Sequence, residues 1–182
     1  MNKIIALVGM CGTGKSVACE YLENIGYKKV YFGGITLDKL KEENLDITPE
    51  NEKNMRERLR KEYGMGAYAF LNLPKIKELI KTDNVVLDGL YSWDELKILN
   101  NEFQNNFYVI AIITDKKLRY QRISVRPNRP LSNEEAKNRD IAEIENLAKG
   151  GPIAYADYYL LNNGTTDDFH DRLKDILNEI DN

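Results

Sequence analysis

The eight residues Gly9-Met10-Cys11-Gly12-Thr13-Gly14-Lys15-Ser16 constrain the fold of this chain more than any other stretch. They match the pattern GxxxxGK[ST], which arises by chance in only on the order of one chain in 150 of this length, taking glycine at about 7%. The flanks agree with the motif. An apolar run, Ile4 to Val8, precedes it, and Val17, Tyr21, Leu22 and Ile25 follow at a spacing that turns one helical face toward a sheet. A strand, a glycine loop and a helix in that order form a phosphate cradle. Its glycines let backbone N–H groups and the helix N-terminus converge on an anion. Gly9, Gly12, Thr13, Gly14, Lys15, Ser16 and Val17 are therefore expected to hold the phosphates of ATP. Lys15 would reach the β and γ phosphates, and the Ser16 hydroxyl would serve Mg²⁺.

Apolar runs alternate with helix-period segments along the whole chain, which predicts an α/β sandwich around a mostly parallel sheet. Five strands are expected, at residues 3–8, 28–32, 84–88, 107–114 and 157–161. Helices are expected at 15–25, 49–63 with Thr48 as N-cap, 73–81, 93–103, 116–125, 133–148 and 166–180. No repeat or linker divides the 182 residues, so one domain is expected. Residues 33–81 form a helical excursion suited to gripping an acceptor. Residues 116–150 suit a lid, with Pro127 and Pro130 restricting the loop between two helices.

The formal net charge of −3 excludes the overall basic excess of a nonspecific nucleic-acid binder, so any anion site must be local. The two cysteines, Cys11 and Cys19, show neither disulfide nor zinc spacing. No run is long enough to span a bilayer, and a cytoplasmic protein is expected.

Three further groups of residues carry chemistry. Val85-Val86-Leu87-Asp88-Gly89 reads as a buried strand ending in an acid, where a phosphate-loop site places the carboxylate that helps hold Mg²⁺. A plain cap of the next turn is the alternative for Asp88. Arg119, Arg122 and Arg126 fall at i, i+3 and i+7, with Arg129 on the following loop, and are expected to converge on a transferring phosphoryl group. A solvated basic face is the alternative there. Arg56 and Arg60, at i and i+4, are candidates for the acceptor site, although Glu52, Glu57 and Glu62 offer them ordinary ion pairs. His170 reads as a surface histidine.

With these residues in place, the chain resembles the nucleoside monophosphate kinase and dephospho-coenzyme A kinase group of P-loop kinases over nearly its whole length. Leu87-Asp88-Gly89-Leu90 is similar to the adenylate kinase segment that supplies the magnesium acid, and the first half resembles archaeal adenylate-kinase-related proteins. Gln121-Arg122, Arg126, Leu131 to Ala136, Arg139, Ala156-Asp157-Tyr158 and Asn162-Asn163-Gly164 are similar to dephospho-coenzyme A kinases. The resemblance implies a three-layer fold of strand order 2-3-1-4-5 and a lid carrying Arg122, Arg126 and Arg139. It also implies that Asn163 and Gly164 lie by the adenine of ATP. Lys15, Asp88, Arg122 and Arg126 are then the expected catalytic set, with Ser16 and Asp88 serving the metal.

Two departures bear on the acceptor. Where dephospho-coenzyme A kinases carry an acid after the second strand, this chain has Tyr31-Phe32-Gly33-Gly34. An alcohol acceptor must lose a proton, whereas a phosphate acceptor arrives ionised. A nucleotide-like acceptor, chiefly a nucleoside monophosphate, is therefore expected. The segment Asp88 to Tyr91 also lacks the substrate arginine of adenylate kinases. Two alternatives stay open: a coenzyme A precursor as acceptor, with Asp38 as substitute acid, or a nucleotide-driven switch without transfer.

Overall fold

Five parallel strands form one sheet in the order β2-β3-β1-β4-β5 in the computed structural model, which describes residues 2–182. The strands are β1 (Ile4–Val8), β2 (Lys28–Tyr31), β3 (Val85–Asp88), β4 (Phe107–Ile113) and β5 (Tyr158–Leu161). Central β1 is buried at every residue, as a strand covered on both faces requires.

Side-chain alternation along β1 divides the molecule into three layers. Ile5 and Leu7 face α1 (Lys15–Asn24) and α9 (Thr166–Asp181), packing with Ala18, Leu22, Phe169 and Leu173. Ile4, Ala6 and Val8 face the larger core, to which α2 (Gly34–Glu42), α3 (Pro49–Tyr63), α4 (Ala67–Leu79) and α5 (Trp93–Phe103) contribute Leu40, Met55, Ile76 and Leu96. The remaining helices are α6 (Lys116–Val125), α7 (Asn133–Leu147) and the short α8 (Gly150–Ala154). Each fully buried aliphatic side chain contributes about 1.5–3 kcal/mol of transfer free energy. The sheet therefore holds its strand ends, where the site is built, as a rigid edge.

Helix starts follow local chemistry. Thr48 accepts from Asn51 N–H at 3.2 Å, with Pro49 at the first helical position. Ser92 and Ser132 each form a reciprocal capping box with the glutamate three residues on.

Three expectations need correction. α4 begins at Ala67, not residue 73, and runs through Pro74, because burial of Tyr68, Ala69 and Asn72 outweighs the backbone bond that proline forfeits. α2 lies inside the helical excursion expected at 33–81 without being delimited there, and α8 lies outside every expected helix; each begins amid glycines, which read as turns. Ile25 lies just past the end of α1 and is exposed, while Ala18 and Cys19 take the inner face. Among the described residues, no helix is long and apolar enough to cross a membrane.

Candidate functional site

The loop from Gly9 to Gly14 leaves the carboxyl end of β1 and is gripped from behind. Arg119 on α6 donates to the Cys11 carbonyl at 2.9 Å, and the Asn162 side chain after β5 donates to the Thr13 carbonyl at 2.8 Å. The Thr114 hydroxyl at the end of β4 lies 3.1 Å from the Asn162 carbonyl and 3.3 Å from that of Thr13, and can donate to one of the two. Gly14 has φ of +102°, and a Cβ there would stand 2.4 Å from Asn162 Nδ2, so glycine is required by both conformation and space. Gly12 is similarly pressed, since a Cβ would lie 2.8 Å from Ile123 on α6.

With these carbonyls engaged, the opposite side of the loop is left with donors. Among the described residues, the N–H groups of Gly12, Gly14, Lys15 and Ser16 have no intramolecular acceptor. A ring of unsatisfied donors at a helix N-terminus fits a phosphate. Lys15 Nζ donates to the carbonyls of Gly9 and Met10 at 2.8 and 3.0 Å, bridging the mouth of the loop. Burial, and next the nearby Lys149 amine, bring its pKa down to about 8. An added phosphate would stabilise the ammonium form and raise the pKa again. The Ser16 side chain is exposed at the start of α1, and Val17 is half-buried against the sheet.

Asp88 ends β3, paired in register with Leu7 on β1 and Tyr31 on β2, which sets its carboxyl beside the loop. Burial raises its pKa, opposed by the charges of Lys29 and Lys15. One hydroxyl and one carboxylate beside a phosphate cradle are a donor set that suits Mg²⁺, which takes few protein ligands and completes its shell with phosphate and water.

The arginines after β4 do not converge as expected. Arg119 turns inward and forms a two-pronged ion pair with Asp140 on α7, at 2.6 and 3.1 Å, with only 7% of its side chain exposed. Helical spacing revealed the shared face but not the carboxylate that α7 sets against it. Arg122 donates to the Asn162 carbonyl at 3.0 Å, by the exposed Asn163 and Gly164. Arg126 lies against the Cys11 thiol at 3.7 Å and donates to the Arg129 carbonyl at 2.8 Å. Arg129, in a left-handed conformation at φ +52°, reaches away to Glu52 on α3 at 3.7 Å.

That reach closes over a cavity of about 460 Å³ on the β2–β3 side of the loop. Arg56, Arg60, Arg129 and Arg139 line it with Glu52 and Glu143. Four arginines against two glutamates give the lining an excess of positive charge, to which the Lys149 amine bonded to Glu143 adds. The Nε of Arg60 is buried without a partner, beneath which the Tyr68 ring lies 5.5 Å from the guanidinium. Glu143 on α7 bonds Arg139 at 3.1 Å and the buried Lys149 at 2.6 Å; burial opposes its charge, but the two cations hold its pKa below the ordinary value. A second depression, about 560 Å³ between Trp93, Ile144 and Tyr155, brings together no carboxylate, amine or guanidinium.

This geometry can be set beside known proteins. A family model described as an AAA domain matches residues 5–145. A UPF0200 protein from Thermococcus kodakarensis is 33% identical over 181 residues, covering 97% of each chain. The chain belongs to the UPF0200 family and carries an AAA domain. Among solved structures, shikimate kinase from Bacteroides thetaiotaomicron superposes with a TM-score of 0.61 at 14% identity, covering 97% of this chain and 98% of that one. Dephospho-CoA kinase from Campylobacter jejuni gives 0.56 at 21% identity, covering 98% and 97%. The fold of this UPF0200 protein is thus that of a P-loop kinase.

Several residues around this loop and cavity carry no signal in the sequence. Glu143 and Lys149 are separated by the end of α7, and nothing in their local pattern distinguishes them from surface charges. Glu52 was read only as an ion-pair partner, yet it lines the cavity between Arg56 at 3.3 Å and Arg129. Asp38 is exposed on α2 and does not line the cavity. His170 stacks on Tyr21 with ring centroids 4.9 Å apart, away from these groups.

Proposed function

We propose that this protein transfers the γ-phosphoryl group of ATP to a small nucleotide-like acceptor, specifically a nucleoside monophosphate. The observation that carries the proposal is the cavity beside Asp88, whose arginines outnumber its carboxylates and so suit a phosphomonoester dianion. The loop from Gly9 to Ser16 would hold the donor phosphates, with Lys15 on the β and γ groups and Asn163 and Gly164 by the adenine. Ser16 and Asp88 would hold Mg²⁺, which would supply positive charge to neutralise the donor phosphates. Arg56 and Arg60 on α3 would grip the acceptor phosphate. An oxygen of that phosphate attacks the γ phosphorus in line, and the bond to the β–γ bridging oxygen breaks to release ADP.

An ionised phosphate needs positioning and charge neutralisation, not a base. The cavity agrees with that requirement, because each of its carboxylates is already held by cations: Glu52 by Arg56 and Arg129, Glu143 by Arg139 and Lys149. An alcohol acceptor such as a coenzyme A precursor would find no free acid there. Arg122 and Arg126, on the α6 side of the loop, would stabilise the transferring group. The segment 116–150 would act as a lid that excludes water.

The test is a screen with labelled ATP against nucleoside and deoxynucleoside monophosphates and dephospho-coenzyme A. Phosphorylation of at least one monophosphate, abolished in Lys15→Ala and strongly reduced in Arg122→Ala, is expected. Transfer to dephospho-coenzyme A alone would refute the choice of acceptor, and tight ATP binding without any product would refute transfer.

A further inference from the structure

The acceptor cavity has a mixed lining. Guanidinium groups supply the charged part of its lining, and Tyr31, Leu37, Leu147 and Gly33 belong to its uncharged part. Three tyrosines reach this space, and their rings differ in what covers them. Tyr68 is 4% exposed, with the Arg60 guanidinium over its face, and Tyr91 carries the Lys149 amine 4.5 Å from its ring centroid. Tyr31 is 48% exposed, and among the described residues no ring or cation pairs with it.

Its pose is nevertheless defined. The phenol end of Tyr31 rests over Gly33, where a Cβ would stand 2.4 Å from Oη and 2.5 Å from Cζ. Gly33 has φ of −60°, which any residue adopts, so its backbone does not call for glycine; the ring uses the space that the missing side chain leaves. Tyr31 itself ends β2 in register with Asp88. A side chain with two rotatable bonds, seated on a glycine at the end of a strand, presents a ring surface with little entropy left to lose.

We propose that Tyr31 is the platform on which a planar ring of the acceptor stacks while its anionic end lies among the arginines. The inference rests on the acceptor assignment of this cavity and deepens it by naming the residue that receives the heterocyclic base. A base-free sugar phosphate would satisfy the arginines and leave Tyr31 wet. Tyr31 is then a specificity residue that touches the acceptor at a distance from the phosphate.

The experiment is calorimetric titration, without ATP, of adenosine, guanosine, cytidine and uridine 5′-monophosphates, with ribose 5-phosphate as the base-free probe. In Tyr31→Ala the tightest-binding nucleotide should weaken about tenfold, the scale of one base–aromatic stack, while ribose 5-phosphate binds as in wild type. Tyr31→Phe should retain nucleotide affinity. Gly33→Ala, whose methyl displaces the ring, should lose it as selectively as Tyr31→Ala. Unchanged nucleotide binding in Tyr31→Ala would overturn the platform, and so would equal loss of both ligands. Arg60→Ala separates the two levels. If Arg60→Ala weakens both ligands and Tyr31→Ala neither, the platform falls and the acceptor site stands; if wild type binds neither ligand, both fall.

Discussion

Asp140→Ala would strand a guanidinium in the protein interior. Arg119 and Asp140 are 7% and 10% exposed at their side chains, and their two-pronged contact at 2.6 and 3.1 Å joins α6 to α7. Removing one partner of such a pair typically costs about 3–5 kcal/mol, because the remaining charge stays buried and unpaired. Arg119 would keep its bond to the Cys11 carbonyl, which puts the expected cost near the lower end, about 3 kcal/mol. For a domain of this size that corresponds to a fall in Tm of roughly 10 °C. Denaturant unfolding of wild type, Asp140→Ala, Arg119→Met and the double variant Arg119→Met/Asp140→Leu would measure it. The double variant should be far more stable than the sum of the single losses, since it leaves no orphaned charge. ATP affinity should fall in Arg119→Met, because the phosphate loop loses the donor that holds Cys11. A loss below about 1 kcal/mol in Asp140→Ala, or additive single losses, would refute the assignment of this pair as the support behind the loop.

Lys15 must be protonated to meet a phosphate, and its free pKa is about 8, so ATP affinity should drop about tenfold per pH unit above that value and Lys15→Arg should flatten the profile. An unchanged wild-type affinity from pH 7 to 10 would contradict this. Burial raises Glu95 from 4.5 to about 7 even though its carboxylate accepts from Tyr91 and Ser92 N–H groups. The native state therefore holds that proton more tightly than the unfolded chain. The resulting stability is full below pH 4.5 and lost as pH rises through 7, a change of about 3 kcal/mol. The stability difference between wild type and Glu95→Gln should trace that fall in denaturant titrations at successive pH values; a flat difference would argue for a carboxyl in contact with water. Gly14→Ala combines a left-handed φ with a Cβ 2.4 Å from Asn162, so it should cost about 1–3 kcal/mol in unfolding and a larger factor in ATP affinity. Wild-type ATP binding in that variant would show that the loop tolerates displacement.

Much of the fold was legible because its signals are local. The strands are short apolar runs between turn residues, and each lies within one residue of its expected limits at either end. Pro49 after Thr48 and Ser92 three residues before Glu95 announce helix starts through bonds closed within one turn. The helix at Ala67 was less legible because Pro74 argues locally against it, while the burial that stabilises it comes from α5 and the sheet. In the same way, three of the four arginines after β4 share a helical spacing, yet the four meet different partners, contributed by α7, the loop after β5, the phosphate loop and α3.

By itself the sequence determined that a glycine loop ending in Lys-Ser follows the first strand, that Asp88 ends another strand, and that a mostly parallel sheet carries both. These follow from contacts and periodicities within a few residues of each other. Only the tertiary structure decided which arginines face the cavity and which are held by carboxylates, that Glu143 is held between Arg139 and Lys149, and that Tyr31 keeps an open ring over Gly33. A charge's role depends on the opposite charge nearest to it in space, and chain spacing does not set that distance across elements.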